Sequence, residues 1–540
     1  MSEKQVTPDL EGAHKLAAVQ SVTTDASILD KDSMINGKPS HGAVPVLPST
    51  IIEEADEEVL KYTDASITIT PEENKRLLRI IDKRVLTIML GTYFCQSLDK
   101  QILSFASIMG IREDLKLKGQ EYSWLFTCLY LAILCTEGLQ NYLVQRLPIN
   151  RWLGFCVFAW GTTCCFVALC HNFTGILVLR ILLGVFECVC QPAFVALSAI
   201  WYKKEEQART ITLWYCCNGL QAMFGGLLGF GFYHIKGAAL ASWRIMFLVL
   251  GLLTIVWGAS IVYILPASPM KARGISEDDR VKIVERVREN QTGVQNRKFK
   301  MEHVWEALKD PQAWALFAIN FLNTIPTGGL GSYGNIIIKT NLGFTVLQTN
   351  LLGLAQGSFQ ITVLLLAAYV AKKWNQTILT AVVFTLPNII SAVLFLTVPN
   401  TKAHAGGLLF AFYMTICIQA QATLSFSLLS RNIAGQTKRG VVTAMTFIGW
   451  AAGNSAGPQL FQAKDAPHYR KAFIGQLGCY VASILVLLGL RIYYMDQNRR
   501  KRRANNVVKG RAEDAEDEID LSKAFLDLTD KQNLDFRYSY

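Results

Sequence analysis

Two long apolar blocks, separated by a charged stretch near residues 266–312, dominate the hydropathy pattern of the chain. Hydrocarbon about 30 Å thick takes roughly 20 helical residues to cross, and each block divides into about six stretches of that length. The pattern predicts helices near 85–110, 123–145, 152–170, 174–201, 209–234 and 243–265, then near 313–339, 348–371, 376–398, 404–430, 438–462 and 470–494. The predicted fold class is therefore an all-α polytopic membrane protein of about 12 transmembrane helices in two six-helix halves.

Composition supports this. Of 540 residues, 51% are hydrophobic and only 18% charged, and the mean hydropathy is +0.26, too apolar for an ordinary soluble chain of this length. The expected organisation is a disordered polar N-terminal tail over 1–80, a first half over 81–265, a linker with an amphipathic helix over 266–312, a second half over 313–494 and a C-terminal tail over 495–540. Within the linker, Ser276 precedes three acidic residues and reads as the N-cap of an exposed helix.

The net charge of +11 is mainly a signature of topology. Basic clusters at Lys75, Arg76, Arg79, Lys83 and Arg84, in the linker, and at Arg499–Arg503 fall on one face if the helix count is even, which puts both termini in the cytoplasm. These runs flank apolar helices rather than forming a basic domain, so no nucleic-acid partner is expected. No signal peptide precedes the first apolar run. The thirteen cysteines lie mostly in predicted helices as small packing residues, and the seven histidines form no i, i+4 pair, so no metal and no cofactor is expected. Asn172-Phe173-Thr174 is a formal glycosylation acceptor, discounted because it abuts a helix.

Charges inside the apolar segments carry the functional signal, because each costs about 2.5–3.5 kcal/mol to insert and faces a bundle interior or an aqueous cavity. Asp99 and Lys100 lie in the first segment, Glu137 near the end of the second, and Arg180 and Glu187 in the fourth, RILLGVFE. Seven residues are about two helical turns, so Arg180 and Glu187 share one stripe, with Gly184 between them leaving room for close approach. Arg180 and Lys100 are candidate anchors for a carboxylate, and Asp99 and Glu187 are candidate proton carriers. The alternative reading is buried pairing, Arg180 with Asp99 and Lys100 with Glu187, fixing helix packing.

RILLGVFECVCQPAFVALSAIWYKKEEQAR resembles the fourth-helix pattern of the allantoate permease branch of the anion:cation symporter family, within the major facilitator superfamily. The matching positions are Arg180, Leu182, Leu183, Gly184, Glu187, Pro192, Trp201, Tyr202, Glu206, Gln207 and Arg209. SLDKQILSFASIMGIREDL, with Asp99-Lys100, is similar to the family's first helix, and RNIAGQTKRGVVTAMTFIGWAAGNSAGPQLF to its tenth-to-eleventh-helix signature. The tail LDLTDKQNLDFRYSY resembles C-termini of the fungal branch. One departure is the loop between the second and third helices, where Gln145 and Pro148 replace the superfamily's usual Asp and Gly.

The resemblance implies two halves of inverted three-helix repeats with a site between them at the bilayer midplane. It also implies import of a small organic carboxylate, such as allantoate, ureidosuccinate, a small peptide or a vitamin-like acid, by proton symport and alternating access. Asp99 and Glu187 would couple the proton; Lys100 and Arg180 would contact substrate. Further substrate contacts are expected from Gln96, Asn218, Gln221, Tyr333, Asn335, Gln356 and Gln419, with Tyr93, Asn323, Gln360 and Gln421 as additional polar candidates. The expected partners are a small organic anion, protons and the lipid bilayer, with the chain acting as a monomer in the plasma membrane, or alternatively the endoplasmic reticulum or vacuole. A nutrient sensor on the same fold is the rival class. An enzyme is not expected, because no catalytic constellation is present.

Overall fold

The structure, a computed structural model, describes residues 69–540 apart from 236, 267, 271, 273, 289–299, 400, 402 and 509–527. The tail expected over 1–80 lies almost wholly outside the described residues, which begin just before a helix, α1 (Pro71–Ile81). Thr70 and Glu73 form a capping box at its start.

The first half contains α2 (Thr87–Ile108), α3 (Glu121–Arg146), α4 (Ile149–Val167), α5 (Phe173–Glu187), α6 (Cys190–Trp201), α7 (Lys204–Tyr233) and α8 (Ser242–Ile264). Two shorter helices, α9 (Glu277–Arg288) and α10 (Met301–Leu308), follow in the linker. The second half contains α11 (Pro311–Ile336), α12 (Val346–Trp374), α13 (Thr377–Thr397), α14 (Ala405–Met414), α15 (Ile418–Asn432), α16 (Gln436–Ala456) and α17 (Arg470–Val508). With α5/α6 and α14/α15 each crossing as a broken pair, these fill the twelve predicted segments. Among the described residues there is no strand.

The breaks and ends have local causes. Pro192 has no N–H to offer the Cys188 carbonyl, and the helix interrupts at Cys188–Val189 before α6 begins. Asn172 caps α5, its Oδ1 accepting from Gly175 N at 2.8 Å, so the formal glycosylation acceptor is occupied in holding a helix start. Among the described residues, seven spans are long and apolar enough to cross a membrane by length and composition. Four of the other five crossings, α2, α7, α11 and α16, are diluted by polar side chains such as Asp99, Asn218, Asn323 and Asn454, which they turn inward. Large apolar residues including Leu169, Val256, Tyr263 and Leu485 lie on the outside, where lipid would meet them.

The halves meet along α7 with α12, α3 with α16, and α2 with α11. At the first seam the backbones touch: a Cβ on Gly226 would overlap the Asn350 carbonyl, and one on Gly357 the Gly219 carbonyl, the small-residue packing that membrane helices use in place of a hydrophobic drive. At the face away from the linker the halves are sealed by hydrogen bonds. Tyr122 Oη donates to the Ser332 carbonyl at 2.8 Å, Ser123 and Tyr333 hydroxyls lie 2.7 Å apart, Thr127 Oγ1 donates to the Ser455 carbonyl at 2.8 Å, and Lys339 Nζ reaches the Ile108 carbonyl at 3.2 Å.

At the linker face each half has its own clasp. Ser276 Oγ accepts from Asp279 N at 3.2 Å, as a cap should, yet α9 is not simply exposed: Arg286 is fully buried against Glu206 and Asn74, while Lys282 meets Glu73 and Arg76 meets Asp279, all on the first half. The second half is held by the last residues of the chain. Asp530 is buried and pairs with Lys438 at 2.7 Å, and Lys438 also meets Asp310 at 2.7 Å and Glu306 at 2.9 Å. Gln312 and Tyr538 donate to Asp530, Asn432 brackets Ser539 with two hydrogen bonds, and Tyr538 stacks on Tyr494. Helix α17 continues to Val508, past the predicted end near 494, because its last turns form the floor for this tail through Asn498, Lys501 and Asn505.

Lys438→Ala would strand three acidic groups, two of them fully buried, and is expected to cost about 3–5 kcal/mol of stability, read as thermal unfolding in detergent. Burial alone would raise the Asp310 pKa, but the charge and hydrogen bond of Lys438, with the Gln312 bond, bring it below the ordinary carboxylate value. Stability from this group is therefore present above the ordinary value and lost as pH falls through the depressed folded value. Unfolding temperature should drop between pH 5 and pH 3 less steeply in Asp310→Asn than in the native chain.

Candidate functional site

Consecutive residues on α2 point about 100° apart, and this separates Asp99 from Lys100. Asp99 is 1% exposed and turns into the first half. Trp160 Nε1 on α4 donates to its Oδ2 at 2.6 Å, and Thr254 Oγ1 on α8 lies at 3.4 Å. Lys100 is half-buried and faces the seam between the halves, its ammonium 5.8 Å from the centre of the Trp450 ring.

On α5, Arg180 and Glu187 are both buried on the same stripe. The Arg180 guanidinium sits 5.7 Å from the Phe126 ring, and its Nε and Nη2 have no hydrogen-bond partner among the described residues. Both carboxylate oxygens of Glu187 are likewise buried without a partner, while its backbone carbonyl accepts from Gln96 Nε2 at 3.1 Å. Gly184 lets this stripe press on α3, since a Cβ there would stand 2.5 Å from the Leu129 carbonyl. No ion pair within 4.0 Å joins these four charges, so neither of the pairings considered from sequence forms as a direct bridge among the described residues.

Two clefts open between the halves. The larger is lined by Lys100, Gln101, Phe126, Tyr130, Thr327 and Asn454 among others. The smaller is lined by Gln96, Lys100, Glu137, Glu187, Gln191 and Trp450 among others. Lys100 lines both. Tyr130 and Trp450, from opposite halves, meet edge to face with ring centres 5.6 Å apart.

Of the residues singled out in the sequence, Lys100, Gln96, Glu137 and Glu187 line these clefts, and Arg180 stands one layer behind, against Phe126. Asp99 faces α4 and α8 instead. Asn218 is engaged by Ser97 and Tyr93, bracing α7 on α2. Tyr333 belongs to the seal at the far face, stacked on Phe461. Asn323 donates to the Ile418 carbonyl, and Gln421 bonds Thr385 and Ser483. Gln221 is buried on α7, and Asn335, Gln356 and Gln419 are half-buried on α11, α12 and α15, none of them lining either cleft. Tyr130, Trp450 and Gln101 were not anticipated, and Asn454 was marked only as part of the family signature in the tenth-to-eleventh-helix stretch. The four-residue spacing of Trp450 and Asn454 on one helix face is the one signal in the sequence.

A bundle that hides cations and carboxylates at the junction of two helical halves is the architecture of a membrane transporter. Residues 89–458 match the sequence pattern of the Major Facilitator Superfamily, and the chain belongs to it. It is 32% identical to the Thiamine pathway transporter of Saccharomyces cerevisiae, over 94% of this chain and 95% of that one. It is 30% identical to the Allantoate permease of the same yeast, over 96% of each. Among solved structures, a bacterial homologue of the human lysosomal transporter Spinster, inward-facing and unoccupied, shares the fold with a TM-score of 0.56 at 14% identity, covering 75% of this chain and 94% of that one. The protein is thus a transporter of this superfamily and not an enzyme.

Trp160→Phe keeps the packing but removes the donor to Asp99, and is expected to destabilise the first half by about 1–3 kcal/mol. Gly184→Ala forces α5 off the Leu129 carbonyl and should lower folded yield, whereas Gly231→Ala, with nothing within 4 Å of its Cβ, should not. Fluorescence-detected size exclusion of tagged variants measures both.

Proposed function

We propose that the chain imports a small organic carboxylate by proton symport, alternating between states open to one face and the other. The observation that carries this reading is the linker-side cleft, where Lys100 and Glu187 look into the same space with no bond between them, and both Glu187 oxygens lack a partner. An ammonium held only by a ring face is ready for a carboxylate. A carboxylate at the same cleft is placed to take a proton at one face and release it at the other, and electrostatic coupling to the anion on Lys100 ties the two cargoes together. Arg180, stacked on the cleft wall at Phe126, adds positive potential from behind. Asp99, bonded to Trp160 and Thr254, is a second proton site that acts through the packing of α2 on α4 and α8.

The hydrogen bonds across the far face support the reading of an inward-facing arrangement, and the basic clusters favour a linker and both termini in the cytoplasm. The membrane is the plasma membrane and the working unit a monomer. Within the superfamily the substrate belongs with the acids of the allantoate permease branch, a reading supported by 30% identity over nearly the whole chain.

Uptake of labelled allantoate, ureidosuccinate and vitamin-like acids at pH 5 and pH 7.5, with and without a protonophore, tests the proposal in cells expressing the chain. One acid should accumulate at pH 5 and lose that accumulation with the protonophore. Glu187→Gln should lose accumulation while retaining exchange of labelled for unlabelled acid, and Lys100→Ala should lose both. Surface-expressed protein that accumulates none of them would favour the sensor.

A further inference from the structure

α3 faces α16 and the turn that follows it at three successive levels. Nearest the sealed face, Thr127 donates to the Ser455 carbonyl and accepts from Gln459. About one turn nearer the linker face, the rings of Tyr130 and Trp450 meet edge to face. A turn beyond that lie Ile133 and Phe447, in the wall of the linker-side cleft. Tyr130 belongs to the wall of the larger cleft and Trp450 to that of the smaller. The two clefts therefore lie on opposite sides of the ring pair, and Lys100 reaches both past its edge.

The carboxylates Glu137 and Glu187 are confined to the linker-side cleft. Among the described residues that line the larger cleft, Lys100 carries the one formal charge, and the other polar groups, such as Gln101, Thr327 and Asn454, are neutral. Asn454 spends its Nδ2 on the Trp450 carbonyl at 2.9 Å, which leaves its Oδ1 as an acceptor toward the cleft. A cation at one end and neutral hydrogen-bonding groups at the other suit an anion whose uncharged end carries a donor.

We propose that the larger cleft is a separate anion-binding subsite, and that the Tyr130 and Trp450 rings form the gate between it and the acid-lined cleft. Among the described residues the partition at that level is made by this edge-to-face contact and the ammonium near the Trp450 ring, and parting the rings breaks neither a hydrogen bond nor an ion pair between them. An incoming anion takes the Lys100 ammonium away from the Trp450 ring and so loosens the gate it must pass. The inference deepens the transport reading by giving the substrate two successive positions, but the gate and the anion preference stand on geometry alone.

The test needs neither substrate nor transport. Asn454→Cys places a thiol in the larger cleft of the full chain, and its labelling from the linker side is followed with two methanethiosulfonates of similar size, one bearing a sulfonate and one a trimethylammonium; the chain retaining Asn454 corrects for the thirteen native cysteines. Adding Trp450→Ala, or separately Tyr130→Ala, should speed labelling at least tenfold, and Trp450→Phe should leave it near the starting rate. With the gate removed, the sulfonate reagent should react faster than the cationic one, and Lys100→Ala should cut that ratio at least fivefold. Equal labelling rates with and without the two rings, in variants that elute as folded monomers, would overturn the gate. A reagent ratio that ignores Lys100→Ala would overturn the anion subsite. Because the readout is labelling, a chain that moves no organic acid would still return one answer or the other.

Discussion

A charge inside hydrocarbon must find protein or water, and the arrangement of this bundle follows from that requirement. Asp99, Arg180 and Glu187 are each no more than 1% exposed, and the crossing helices turn them into the protein, Glu187 to a cleft between the halves and Asp99 to α4 and α8 within the first. Placing them there costs desolvation that no direct ion pair repays, since Arg180 and Glu187 keep unpartnered atoms. Such an expense is characteristic of a site that exchanges partners rather than of a core built for stability.

The two ends of the seam are held differently, and the difference suits a rocking carrier. Backbone carbonyls and hydroxyls of both halves interlock at the far face, through short hydrogen bonds that can break in succession. At the linker face the buried ion pairs join elements within a half: α9 through Arg286 to the first, and the C-terminal tail through Asp530 and Lys438 to the second. Each half is thereby stiffened where the other must slide past it, which favours rigid-body motion over local unfolding.

Much of this was legible in the sequence. Hydropathy located the twelve segments to within about six residues, apart from the end of α17, which runs on to Val508, because a run of apolar residues in a membrane admits few structures. The fourth crossing was read as one unbroken helix, and its interruption before Pro192 emerged only from the structure, while the stripe of Arg180 and Glu187 led directly to the cleft through Glu187. The partners of these groups were not legible. Asp99 found Trp160 and Thr254 because α4 and α8 pack closely behind α2, a three-body arrangement that spacing along one helix does not contain. Tyr130 and Trp450 lie 320 residues apart in the chain, and each alone reads as an ordinary aromatic of an apolar helix. Asn218 and Tyr333 were expected to contact substrate, whereas in the structure their bonds brace helices and seal a face. The C-terminal tail shows no periodic apolar pattern, and its placement depends on buried charges and amides contributed by α11, α16 and α17.

The central claim is that an organic anion and a proton cross together through the cleft that Lys100 and Glu187 share. Purified protein in liposomes holding a trapped pH dye, at equal pH on both sides, tests it most directly, with protein-free liposomes to subtract passive entry of the acid. Addition of the transported acid outside should acidify the lumen in step with entry of the label, and Glu187→Gln should abolish the dye signal. Entry of labelled acid at the native rate with no lumenal acidification would contradict the account.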